Sequence, residues 1–184
     1  AKPSAHALVD LLVIYTAHVP YIHTFLAIRN KTELAVAEAN SDFYRIGAPV
    51  RQRLVGVEEN NNTEKGSNSD SLERFRRPTD GYLDDVHALR DELGADLVCL
   101  LQEEKDTSSS GIAYVMTKTG DRFSENFGFS VVEYEYLTGL NTMVHEIGHN
   151  LGCNHDREHA SNDSLYPFSY GYRFTARSGT TYRT

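Results

Sequence analysis

The sequence has no tryptophan, two cysteines, two methionines and five prolines among 184 residues. Two cysteines, Cys99 and Cys153, are too few for a disulfide framework, although one bridge between them stays open. No apolar run is long enough to span a bilayer: the longest, Leu8 to Tyr15, is broken by Asp10. Basic charge is also in deficit. Eighteen Lys and Arg against 26 Asp and Glu leave a net charge of −8, which argues against a nucleic-acid partner. The one basic cluster, Arg74-Phe75-Arg76-Arg77, reads as a solvated loop edge. Internal repeats and long low-complexity tracts are missing too.

What remains is an ordinary soluble composition, 40% hydrophobic and 24% charged. The length suits one domain with a real core. Ala7 to Tyr15 reads as a buried strand. After Pro20, residues 21–46 read as a long helix whose inner face would draw on Phe25, Leu26, Leu34, Ala37 and Phe43. Val50 to Val57 is a second strand, and Glu58 to Asp80 is polar enough to predict a mobile surface loop. Asp80 can cap a helix running to Leu93. Asp96–Leu101, Gly111–Met116 and Phe129–Tyr134 read as three further strands, and residues 138–151 as a final helix. The order βαβαβββα predicts an α/β fold with a mostly parallel sheet, and the short late connections predict one antiparallel edge strand.

The chemistry concentrates in one segment, His145-Glu146-Ile147-Gly148-His149-Asn150-Leu151-Gly152-Cys153-Asn154-His155-Asp156. Residues four apart share a helix face, so His145 and His149 can offer two imidazoles to one ion. Glu146 sits on the flank of that face, able to serve a water held by the ion without being a ligand itself. Hydrolytic zinc takes three protein ligands and keeps one position open. His155 can be the third only if the chain leaves the helix and doubles back after Leu151. Gly152 stands where that reversal must occur and can take a positive φ without steric penalty. Cys153, inside the motif, reads as a packing or disulfide residue rather than a ligand. His6, His18, His23, His87 and His159 read as structural or surface histidines.

The pattern HExxHxxGxxH at His145 to His155 resembles the elongated zinc motif of the metzincins. Asp156, directly after the third histidine, is similar to the adamalysin (reprolysin) branch. Upstream, Ala37-Glu38-Ala39-Asn40 with Arg53-Leu54-Val55-Gly56-Val57 resembles the first long helix and second strand of bacterial reprolysin-like enzymes. Ala95-Asp96-Leu97-Val98 and Gly111-Ile112-Ala113-Tyr114 resemble their third strand and edge strand.

The resemblance implies a twisted five-stranded sheet, two long helices and an active-site helix. It also implies a zinc endopeptidase with ligands His145, His149 and His155, and Glu146 as general base. Gly111, Ile112 and Ala113 would offer backbone groups to an extended peptide or protein substrate. Calcium, known as a possibility in such enzymes, has no support in the sequence. The implied protein is a secreted monomer that has already lost its signal and pro-segments.

One departure stands out. The family places a methionine turn after the third histidine, whereas Met116 and Met143 both precede it. The expectation is therefore one catalytic domain, residues 1–184, with an upper part to about 151 and a short or truncated lower part, 152–184. Two rivals follow: another zinc hydrolase such as an aminopeptidase or amidase, and a zinc-binding fragment with impaired catalysis.

Overall fold

Leu11 to Thr16 is an unbroken run of large side chains. Such a run fits a strand covered on both faces, and in the computed structural model it lies fully inside the sheet. The structure describes residues 6–64, 66–103, 109–118, 124–160 and 164–183. Strands β1 (Ala7–Thr16), β2 (Val50–Asn60), β3 (Leu97–Gln102), β4 (Gly111–Ala113) and β5 (Phe129–Glu133) form one sheet in the order β2-β1-β3-β5-β4. The pairs β1–β2, β1–β3 and β3–β5 are parallel. β4 alone is antiparallel, with Gly111 opposite Val132 and Ala113 opposite Ser130. This is the expected α/β architecture, including the reversed strand at the edge.

Five helices accompany the sheet: α1 (His18–Ile22), α2 (Phe25–Arg45), α3 (Asn68–Arg76), α4 (Asp85–Leu93) and α5 (Thr142–Asn150). Alternation along the strands sends side chains to two cores. One joins Leu11, Val13, Leu97, Cys99 and Leu101 to Ile28 and Val36 of α2 and to Met143 and Ile147 of α5. The other joins Leu12, Ile14, Val98 and Leu100 to Leu72 and Phe75 of α3 and to Val86 of α4. Each such side chain stabilises the fold by about 1.5–3 kcal/mol relative to exposure. α5 is therefore anchored through its apolar stripe, and Glu146, His149 and Asn150 on it are buried as well. A two-stranded hairpin, β6 (Arg173–Thr175) with β7 (Thr181–Arg183), follows.

The structure corrects several expectations. The long helix begins at Phe25, capped by the Thr24 hydroxyl, and Pro20 lies in the separate turn α1. Its inner face is Ile28, Thr32, Ala35, Val36 and Ala39, whereas Phe25, Leu26 and Leu34 are exposed. Small side chains let α2 approach the sheet, and Thr32 closes its own hydroxyl onto the Ile28 carbonyl. Residues 58–80 are not one loop. β2 continues to Asn60, and α3 starts in a capping box formed by Ser67 and Asp70. Arg74 to Arg77 thus close a helix. Asp80 does not cap α4, which begins five residues later; Asp84 instead accepts from the Asp80 and Gly81 amides. Among the described residues only α2 is long, since α3, α4 and α5 have nine residues each.

Polar contacts fix the outer strands. On β2, the Asn40 amide accepts from the Gln52 N–H at 2.8 Å and donates to its carbonyl at 3.0 Å. At the other edge, Tyr114 just beyond β4 donates its hydroxyl to Glu73 of α3 at 2.8 Å. Arg77 donates to the same carboxylate at 2.7 Å and Arg76 at 3.2 Å. The Tyr114 hydrogen bond above all, then that from Arg77, holds the Glu73 carboxyl at about 2 against an ordinary 4.5. A depressed carboxylate stabilises the fold fully above its ordinary value and loses that contribution as pH falls toward the folded one. Glu73 is 43% exposed, so solvent screening keeps the effect modest. Glu73→Gln is expected to lower Tm at neutral pH and to flatten the fall in Tm between about pH 4.5 and 2, read by thermal melts across that range.

Candidate metal centre

α5 has the length to place two histidines one turn apart and a defined way to end. Asn141 precedes it at φ 57°, and Leu151 closes it. Gly152 then takes φ +93°. The Cys153 N–H donates to the Gly148 carbonyl at 2.9 Å and the Gly152 N–H to the His149 carbonyl at 3.0 Å, the paired bonds of a Schellman ending. The reversal inferred from the sequence is present, with the backbone sign expected for glycine.

The returning chain is fixed by an isolated bridge between Asn154 and Tyr170. The Asn154 N–H donates to the Ser169 carbonyl, and the Gly171 N–H to the Asn154 carbonyl. His155 is thereby brought back over α5. Its Nε2 lies 3.2 Å from Nε2 of His145 and 3.2 Å from Nε2 of His149. Tetrahedral zinc with Zn–N bonds of about 2.0–2.1 Å would space its nitrogens about 3.3 Å apart. The His149 Nδ1 lies 2.8 Å from the Cys153 carbonyl. A carbonyl can only accept, so Nδ1 carries the proton and Nε2 turns a lone pair inward. Burial above all, and then the neighbouring imidazoles, lowers His145 to about 4. Burial also lowers His149. Neutral imidazoles are the form that binds metal. Donor type, spacing, tautomer and charge state all fit zinc.

Glu146 is 5% exposed and points beside this triangle, and none of the described residues donates a hydrogen bond to it. Burial raises its carboxyl to about 8. A cation beside it would draw that value down by favouring the charged form. Gly111 lies against it: a Cβ built there would stand 3.0 Å from Glu146 Oε1. The structure thus brings Gly111 to the site, whereas Ile112 points to the opposite face and packs on the α3–α4 core. Among the described residues, the outer edge of β4 has no strand partner.

Asn150 was not expected. Its side-chain amide donates to the carbonyls of Tyr114, Phe127 and Phe129, tying the end of α5 to the exit of β4 and the start of β5. Its place next to His149 was the one available signal. The Cys153 carbonyl had none, being main chain. Cys99 and Cys153 are both free thiols, so the open question of a bridge closes in the negative. Four expected structural or surface histidines find partners: His18 lies 3.6 Å from the Glu64 carboxylate and His23 3.4 Å from that of Glu103. His87 contacts the Phe75 carbonyl, and His159 Nδ1 lies 2.8 Å from the Asp156 carboxylate. Asp156, Glu158 and His159 also cluster, but the Asp156 carboxylate is taken up by the Glu158 N–H and His159 Nδ1, and the Glu158 carboxylate accepts from Arg173 at 3.0 Å. A cavity of about 620 Å³ beneath Asn150 is lined by Leu8, Arg90 and Phe127 and by none of the three zinc-motif histidines.

The sequence model of metallo-peptidase family M12 matches residues 5–182. This chain belongs to that family. A relative from Stenotrophomonas maltophilia (strain R551-3) named peptidyl-Asp metalloendopeptidase is 34% identical over 83% of this chain and 35% of its own length. A Pseudomonas aeruginosa protein of the same name is 31% identical over 98% of this chain and 30% of its own. The M12 chain therefore spans about a third of the curated relatives it matches. Among solved structures, one titled as a chaperone-substrate complex aligns with TM-score 0.71 at 18% identity, covering 92% of this chain and 27% of that one. Metalloproteinase-II from Bacteroides fragilis aligns with TM-score 0.52 at 15% identity, over 84% and 45%. These structural likenesses carry the fold alone; the family match and the bacterial relatives carry the reading of a bacterial metzincin-like metallopeptidase.

His155→Ala leaves two helical imidazoles and is expected to weaken zinc retention by more than about tenfold, measured as bound zinc after dialysis against a graded chelator. At Gly152 a Cβ would meet Leu165 at 2.6 Å on top of the positive φ. Gly152→Ala is expected to cost about 1–3 kcal/mol and to reduce metal content, although Gly152 touches no ligand atom; thermal melts and metal analysis report both.

Proposed function

We propose that this chain is the catalytic domain of a zinc-dependent endopeptidase, with His145, His149 and His155 as ligands and Glu146 as general base. The observation that carries the reading is the triangle of Nε2 atoms at zinc spacing, with a buried carboxylate beside it and an open strand edge next to both. A fit to M12 over nearly the whole chain supports it.

Zinc bound there would supply Lewis acidity, lowering the pKa of a water and polarising the scissile carbonyl. The protein does the rest. Gly111 to Ala113 pair with an extended peptide as an added antiparallel strand, which sets its direction across the site. Glu146 takes a proton from the attacking water and passes it to the departing amine. Its buried surroundings keep that proton from bulk solvent between the two steps. The substrates are peptides or proteins, and the preferred bond lies at aspartate, as in the names of the relatives. The protein acts outside the cell as a monomer. No helix among the described residues is long and apolar enough to cross a membrane. Residues 1–151 form the upper part of the domain and 152–184 the lower part.

Glu146→Gln keeps the length of the side chain but removes its basicity. Zinc content should be unchanged, while turnover of an aspartate-containing peptide should fall by about 10²–10⁴-fold. Undiminished, chelator-sensitive hydrolysis by that variant would assign the base elsewhere.

A further inference from the structure

Glu146 is 5% exposed, and none of the described residues donates a hydrogen bond to its carboxylate, so among them its direction is set by packing. The tightest packing is against Gly111. A Cβ at that position would lie 3.0 Å from both Cγ and Oε1 of Glu146, and 2.9 Å from Cγ2 of Thr142 one turn earlier on α5. Ordinary contacts of a Cβ begin near 3.4 Å, so the gap between β4 and α5 has room for a hydrogen and not for a methyl group.

Neither side of this gap is free to widen. β4 is held at its start by the Glu133 N–H on the Ser110 carbonyl, and by Asn68 donating to the Ser109 carbonyl at 2.9 Å. At its end the Tyr114 carbonyl accepts from Asn150, and the Met116 N–H donates to the His149 carbonyl at 3.0 Å. The last two bonds come from α5 itself, which locks strand and helix to each other. From below, Met143 and Ile147 root α5 in the core at 1% and 0% exposure. The movable part is the far end of the Glu146 side chain.

We infer that Gly111 is a positioning residue for the reaction: its bare α-carbon is the wall against which Glu146 rests, and that wall sets where the carboxylate meets the attacking water. This role rests on the proposed function of Glu146 and is separate from the backbone pairing of Gly111 with substrate. Gly111 does not carry a positive φ, so alanine suits the strand and its effect falls on the neighbour.

The test compares Gly111→Ala in the wild-type and Glu146→Gln backgrounds, with Gly111→Ala/Thr142→Ser to relieve the contact with the helix. Steady-state and single-turnover rates, zinc content and Tm are measured for each. Gly111→Ala is expected to lower kcat about 10–100-fold, since a misplacement of order 1 Å at a reacting group costs about that much. KM should stay within about twofold and zinc content at one per chain. In the Glu146→Gln background the same change should alter the residual rate less than twofold, because the group it displaces is no longer a base. Thr142→Ser should not restore the rate. A rise in KM with kcat intact would overturn the inference in favour of a purely substrate-pairing role. Equal losses in both backgrounds, recovery on Thr142→Ser, or zinc loss in both Gly111→Ala proteins would overturn it as well. An active Glu146→Gln single variant would instead remove the proposed function on which it stands.

Discussion

Three imidazoles must reach one point, and only two of them can come from a single helix. The rest of the lower structure answers that constraint. α5 ends one residue beyond His149, Gly152 reverses the chain, and the Asn154–Tyr170 bridge holds the return path. The same reversal delivers the Cys153 carbonyl to His149 Nδ1, so one bend places the third ligand and sets the tautomer of the second. A helix running on past Leu151 would lose both. The positive φ is therefore tied to the metal chemistry and not only to compactness.

The second dependence runs sideways, from α5 to the outermost strand. Asn150 spends its amide on three carbonyls drawn from β5, its approach and the exit of β4. Buried amide donors left unmade would cost about 1–3 kcal/mol each, so these bonds tie helix, edge strand and central sheet together. The three histidines and the β4 edge thus share one frame, as the function proposed for them requires.

Much of this was legible in the residues. The ligand spacing, the flanking Glu146, the bend at Gly152 and the antiparallel fourth strand each follow from a short-range rule, either helical periodicity or the backbone freedom of glycine. Length-limited signals failed where tertiary packing decides. Phe25, Leu26 and Leu34 are bulky and periodic, yet Ala35 and Ala39 face the sheet, because the sheet accepts α2 only at close range. α3 hid inside a polar stretch: its helical face rests on Leu72 and Phe75 alone, and its strongest mark, the Ser67–Asp70 box, is local and easily passed over. Asn150 had only its place beside His149 to mark it, since its three acceptors lie 21 to 36 residues away in sequence.

A sheet has two rims, and here they are unequal. On the β2 rim, Asn40 occupies backbone groups of Gln52 that β1 does not use, and exposed Arg51 and Arg53 stand on either side. An extended chain arriving there meets a filled hydrogen-bonding position, exposed Arg51, and Arg53 already held in a bidentate pair by Asp10. Among the described residues the outer rim of β4, Gly111 to Ala113, has no strand partner. The two rims are therefore unlike: one has its backbone groups taken up by a side chain, while the other is unpaired and has Gly111 set against Glu146 of the zinc motif.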